Sequence, residues 1–135
     1  MMFRNEYDFL SNFYPCRIRY GDLVFPSVEH AFQAMKSKDP DVWKQFTSGS
    51  AAQAKKLGRR IKLRPDWEII KLPLMRNLLL AKFSRSDLKI KLKETAPLHL
   101  EETNTWGDTY WGVTPQGYGK NHLGKLLMEV RDTLE

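Results

Sequence analysis

Two acidic residues stand where acid–base chemistry could be done. Glu29 lies in Ser27-Val28-Glu29-His30, and Asp108 sits between the pairs Trp106-Gly107 and Trp111-Gly112. Two carboxylates in unlike environments suit cleavage of a glycosidic bond through an oxocarbenium-like state. One stabilises the developing charge and activates water, while the other protonates the leaving group or binds hydroxyls. Each also has a plainer explanation. An acid in the first turn of a helix is favoured by the helix dipole, and an Asp among glycines makes a turn. Which acid takes which role stays open at this level, and spacing alone does not bring the two together. His30 reads as a hydrogen-bonding histidine rather than a base.

Around Asp108, residues 104–121 hold four glycines and four large aromatics, Trp106, Tyr110, Trp111 and Tyr118. That composition excludes a regular helix, and a long irregular segment in a small domain is usually functional or mobile. Indole and phenol faces there either stack on a base or pack the loop against itself. The stretch 5–15 mixes Asn12, Phe13 and Tyr14 with amides and hydroxyls. It fits a ligand-facing loop, with Phe9, Leu10 and Phe13 alternatively part of the core. Lys36, seven residues after Glu29, either neutralises a phosphate or carboxylate or is simply solvated. His30, His99 and His122 are scattered and Cys16 is the only cysteine, so no metal site is expected. No glycine-rich phosphate loop follows a strand, and Cys16 has no neighbouring base to make it a nucleophile.

Positioning these residues is the work of a chain of 135 residues, a length that fits one domain. No apolar run approaches a membrane span. The first residues lack the apolar core of a secretion signal, and a single thiol makes no internal disulfide. A cytoplasmic protein with no membrane partner is therefore expected. Lysine and arginine exceed the acids by 22 to 16, and Lys55, Lys56, Arg59, Arg60, Lys62 and Arg64 form a run without an acid. Such a run either attracts phosphates or is a solvated helix face and loop.

The periodicities describe a mainly helical α+β domain with a short β-hairpin. Residues 16–25 place β-branched and aromatic residues around a Gly21-Asp22 turn, and Pro26-Ser27 opens a helix. Val28, Ala31, Phe32 and Met35 form one apolar stripe. Asp39-Pro40 starts a short helix ending before Gly49. Ser50 to Gln53 is a capping box for another, which Gly58 is placed to end. Asp66 is expected to cap a helix that Pro73 restarts and that runs to Phe83. Ser86 caps one through about Glu94, residues 98–103 have a strand pattern, and a last helix covers about 121–134.

At this point a resemblance becomes specific. Ser11-Asn12-Phe13-Tyr14-Pro15, then Pro26-Ser27-Val28-Glu29-His30-Ala31-Phe32-Gln33-Ala34-Met35-Lys36, resemble the opening motifs of the NADAR superfamily. Trp106-Gly107-Asp108 through Trp111-Gly112-Val113 resembles its second signature, and residues 119–131 its C-terminal helix. The match runs nearly the whole chain, nearest the YbiA-like N-glycosidases. The resemblance implies one compact, mostly helical domain (1–135) that hydrolyses the N-glycosidic bond between ribose and a base-like amine. In the YbiA-like branch the substrates are phosphorylated riboflavin-pathway intermediates; another branch removes ADP-ribose from guanine in nucleic acid. A non-catalytic module binding ADP-ribose or a nucleotide is the third reading. By residue match the implied site is Glu29 and Asp108 as the acids with Trp106, Trp111 and Asn121, and the expected arrangement has Trp106, Trp111 and Phe13 or Tyr14 holding the base. Asn12 and Asn121 orient ribose hydroxyls or phosphate, and Lys36 faces the anionic part. Neither metal nor organic cofactor is implied, since this hydrolysis needs charge stabilisation, a proton and water.

Overall fold

Ser27 decides where the first buried helix begins. Its extended backbone cannot continue a helix, and its hydroxyl accepts from the His30 amide, so α1 runs Val28–Ala34. The computed structural model describes residues 1–135, which pack as two compact units: residues 12–82, and residues 1–11 with 83–135.

In the 12–82 unit, β1 (Ile18–Tyr20) and β2 (Leu23–Phe25) form the expected antiparallel hairpin, with Ile18 opposite Phe25. Gly21 takes a left-handed φ of 57° at its turn, which costs a residue without a Cβ little. Asp39 caps α2 (Pro40–Trp43) through its side chain, and a 3₁₀ turn, Lys44–Phe46, follows. The Ser50/Gln53 capping box opens α3 (Ala51–Gly58) as its sequence predicts. α1 packs against α3 and against the long helix α4, Trp67–Lys82. All seven residues of α1 are buried, including Glu29, His30 and Gln33, so the apolar stripe describes only part of its environment. Phe25, Val28, Phe46, Met75 and Leu79 are among the fully enclosed side chains, each contributing about 1.5–3 kcal/mol by leaving water.

Two expectations are corrected in this unit. α4 (Trp67–Lys82) is one helix that passes through Pro73 rather than restarting there. The proline removes the hydrogen bond to the Ile69 carbonyl, but Ile69 and Pro73 are both exposed, so water can take that carbonyl. Asp66 does not cap the helix with its side chain. Its carboxylate instead takes Arg64 Nε at 2.7 Å and Nη2 at 3.2 Å in a forked pair.

In the second unit a 3₁₀ segment, Asn5–Leu10, buries Phe9 and Leu10. They join Phe83, Leu88, Leu92, Leu123, Leu127 and Val130 among its buried apolar residues. α5 is Ser86–Glu94, with Arg85 rather than Ser86 at the cap position, and α6 is His122–Thr133. Residues 98–103 form no strand beyond an isolated bridge from Thr103 to Val113. Their polar backbone atoms are taken by a side chain: Asn121 Nδ2 donates to the Leu100 carbonyl at 2.9 Å, and its Oδ1 accepts from the Glu102 amide at 3.0 Å. The predicted mainly helical α+β class holds, and no helix is long and apolar enough to cross a membrane.

Candidate active site

Glu29 is buried in the first turn of α1. Its amide donates to the Asn12 carbonyl at 3.0 Å, tying the helix start to the Ser11–Pro15 stretch. Gln33, one turn on, donates from Nε2 to Glu29 Oε1 at 2.9 Å. His30 is spent on structure. Gly49's carbonyl can only accept, so Nε2 donates to it at 2.9 Å, and in the neutral ring Nδ1 accepts from the Ser27 hydroxyl at 2.7 Å.

Lys36 follows α1 and donates from Nζ to the Gly58 carbonyl at 3.4 Å. Burial of its ammonium pushes its pKa below the usual lysine value. The charge of Glu29 opposes that shift, and Arg59 adds to it. Asn12 sits in the same unit, with Nδ2 3.6 Å from Met75 Sδ and a buried Oδ1 that has no hydrogen-bond partner. Phe13 is 42% exposed, which removes it from the core.

In the other unit, residues 104–121 are irregular as the sequence predicts. Gly107, Gly117 and Gly119 adopt left-handed φ values. Asp108 organises this loop: its Oδ1 accepts from the amides of Tyr110 at 3.1 Å and Trp111 at 2.9 Å. Trp111 packs edge-on against Tyr110 at 4.9 Å between ring centres, and Tyr110 lies 4.6 Å from His122. These rings pack the loop against itself, whereas Trp106 remains 56% exposed. Asn121 has a left-handed φ of 51° and does not cap α6. The first helix amides, His122 and Leu123, donate instead to the carbonyls of Tyr110 and Trp111. Both carboxamide atoms of Asn121 bond to residues 100–102 and brace that segment.

Glu29, Asn12, Phe13 and Lys36 thus gather around the start and end of α1, and Asp108 and Trp111 within one loop turn. Sequence reasoning missed Gln33, Asn104 and Gly58. Gln33 at the fourth position after Glu29 is a helical-neighbour signal; Asn104 and Gly58 carry no such sign.

The NADAR domain model matches residues 2–135. The chain belongs to the NADAR domain family. It is 40% identical over 134 residues to the protein named N-glycosidase YbiA in Shigella sonnei, covering 96% of this chain and 83% of that one. It is 37% identical to the Riboflavin biosynthesis protein VVA0006 of Vibrio vulnificus, of which it spans 36%. The NMR structure of Escherichia coli YbiA superposes with a TM-score of 0.84 at 39% identity, over 96% of this chain and 79% of that one. This NADAR chain therefore shares the YbiA fold.

Proposed function

We propose that this NADAR protein hydrolyses a phosphorylated ribosylamine of riboflavin biosynthesis at the bond between ribose C1′ and its base-like amine, with Glu29 as the reacting carboxylate. Its relatives are named N-glycosidases, and the chain is a hydrolase acting on N-glycosyl compounds. The riboflavin name of the Vibrio relative supports the substrate class. Such a phosphorylated intermediate does not cross membranes unaided, so this reading puts the enzyme in the cytoplasm.

The observation that carries the role of Glu29 is its position: a buried carboxylate with a fixed amide donor and a half-buried ammonium seven residues on. As the C1′–N bond breaks, its electron pair leaves with the amine nitrogen, which takes a proton from solvent, balanced by the proton that Glu29 later returns to solvent. Positive charge grows on C1′ and the ring oxygen, and a carboxylate in a poorly hydrated site stabilises it strongly. Glu29 then accepts a proton from the water whose oxygen bonds to C1′. Asp108, with Oδ1 on two amides, shapes the loop that carries Trp106 and Trp111. Asn12 Oδ1 supplies an acceptor for a ribose hydroxyl, and Lys36 meets the phosphate.

The exposed side chains of Lys56, Arg59, Arg60 and Lys62 favour a second reading, removal of ADP-ribose from modified guanine in nucleic acid. It predicts binding to modified DNA that weakens steeply with salt. Incubation with a phosphorylated ribosylaminopyrimidine, ADP-ribosyl-guanosine DNA and NAD, followed by chromatography of the released base, decides between the substrates. Glu29→Gln is expected to lower release at least about 100-fold while the protein stays folded. Unchanged turnover in a folded Glu29→Gln protein removes Glu29 from the chemistry.

A further inference from the structure

We propose that Gln33 and Gly58 are positioning residues for the Glu29 carboxylate, so that the end of α3 sets the aim of an acid on α1. This rests on the reading of Glu29 as the reacting group. Gln33 Nε2 donates to Glu29 Oε1 at 2.9 Å, while its own Oε1 is buried with no hydrogen-bond partner. An amide that leaves a buried acceptor unsatisfied gives up stability, and its donor is the part that is used.

The side chain is held by a wall. A Cβ built on Gly58 would lie 1.9 Å from Gln33 Oε1 and 2.6 Å from its Cδ, so the carboxamide rests directly against the glycine backbone. Gly58 has no left-handed φ; the reason for glycine there is room for Gln33. The same residue's carbonyl takes the ammonium of Lys36 at 3.4 Å. The two α1-side neighbours of Glu29, at the fourth and seventh positions after it, therefore share one seat on α3.

A methyl at position 58 must push the carboxamide away, and the displaced amide turns or drops its bond to Glu29. An error of about 1 Å in a reacting group is enough to cost two orders of magnitude in rate. The test uses the substrate whose cleavage Glu29→Gln abolishes, with kcat, KM and thermal unfolding measured for Gln33→Leu, Gly58→Ala and the double variant. Leucine keeps the volume of Gln33 and removes its donor. Each single variant is expected to lower kcat at least tenfold with KM within twofold, and the double variant to fall no further than the worse single one, because both act through one carboxamide. Independent multiplication of the two effects, or a KM rise with kcat unchanged, overturns the proposal. Should Gly58→Ala fail to fold, Gln33→Leu decides alone by its kcat against its KM. A folded Glu29→Gln enzyme with native kcat is a different result: the assignment of Glu29 fails, and the positioning role falls with it.

Discussion

Asn104 holds Asp108 by both its amide and its carbonyl. Its Oδ1 accepts from the Asp108 amide at 3.0 Å, and its Nδ2 donates to the Asp108 carbonyl at 2.9 Å. Asn104 is 1% exposed, so the backbone of an irregular loop is paired as a strand would pair it. Asn104→Ala removes both bonds and is expected to destabilise the protein by about 2 kcal/mol at about 1 kcal/mol each, read as a lower urea midpoint. Asn104→Asp, which sets a buried carboxylate oxygen against the Asp108 carbonyl, should destabilise at least as much.

Lys36 gives a pH dependence with a definite sign. Burial lowers its pKa, so it loses its proton below the pH at which a solvated lysine does. If it meets the substrate phosphate, KM rises as pH passes that lowered value, and Lys36→Met flattens the rise. The stability effect runs the opposite way. Between the lowered folded value and the ordinary unfolded one, the unfolded chain binds more protons, so native stability gains with pH there. Denaturant titrations of both proteins from neutral pH upward check this: any stability advantage of Lys36→Met narrows as pH rises.

Gly124 is a packing constraint of the same kind as Gly58. A Cβ there would lie 2.1 Å from the Leu100 carbonyl oxygen and 2.4 Å from Asn121 Nδ2. Gly124→Ala is expected to cost about 1–3 kcal/mol by overpacking, although alanine favours helices. Thermal unfolding with a lower midpoint supports this; an unchanged midpoint refutes the close approach.

Ser27 caps α1 and also serves His30 Nδ1. Ser27→Ala is expected to lose about 1 kcal/mol for the cap, and Ser27→Asp, another good capping residue, to recover part of it. Equal unfolding midpoints for Ser27→Ala and the native chain would show that the cap contributes nothing.

What the sequence discloses follows from how local each signal is. The hairpin, the Ser27 and Asp39 caps and the Ser50 capping box all depend on a few neighbouring residues, and each forms as expected. Pro73 misleads because its cost depends on whether water reaches one carbonyl, which is a tertiary fact. Residues 98–103 mislead because alternation of apolar and polar residues says nothing about what pairs with the backbone, and Asn121 stands 21 positions from Leu100. Glu29 is legible as a candidate from its place in a helix start. Its support is not, since Gly58 lies 29 positions away and matters only for having no side chain.

The brace from Asn121 to residues 98–103 has a consequence for how the molecule behaves among its own copies. A strand-like segment with free amide and carbonyl groups is a template on which another chain can add. By occupying the Leu100 oxygen and the Glu102 nitrogen, one carboxamide plugs two successive docking points on that template. The residue that keeps the last helix tethered thereby leaves neither of those two groups unpaired.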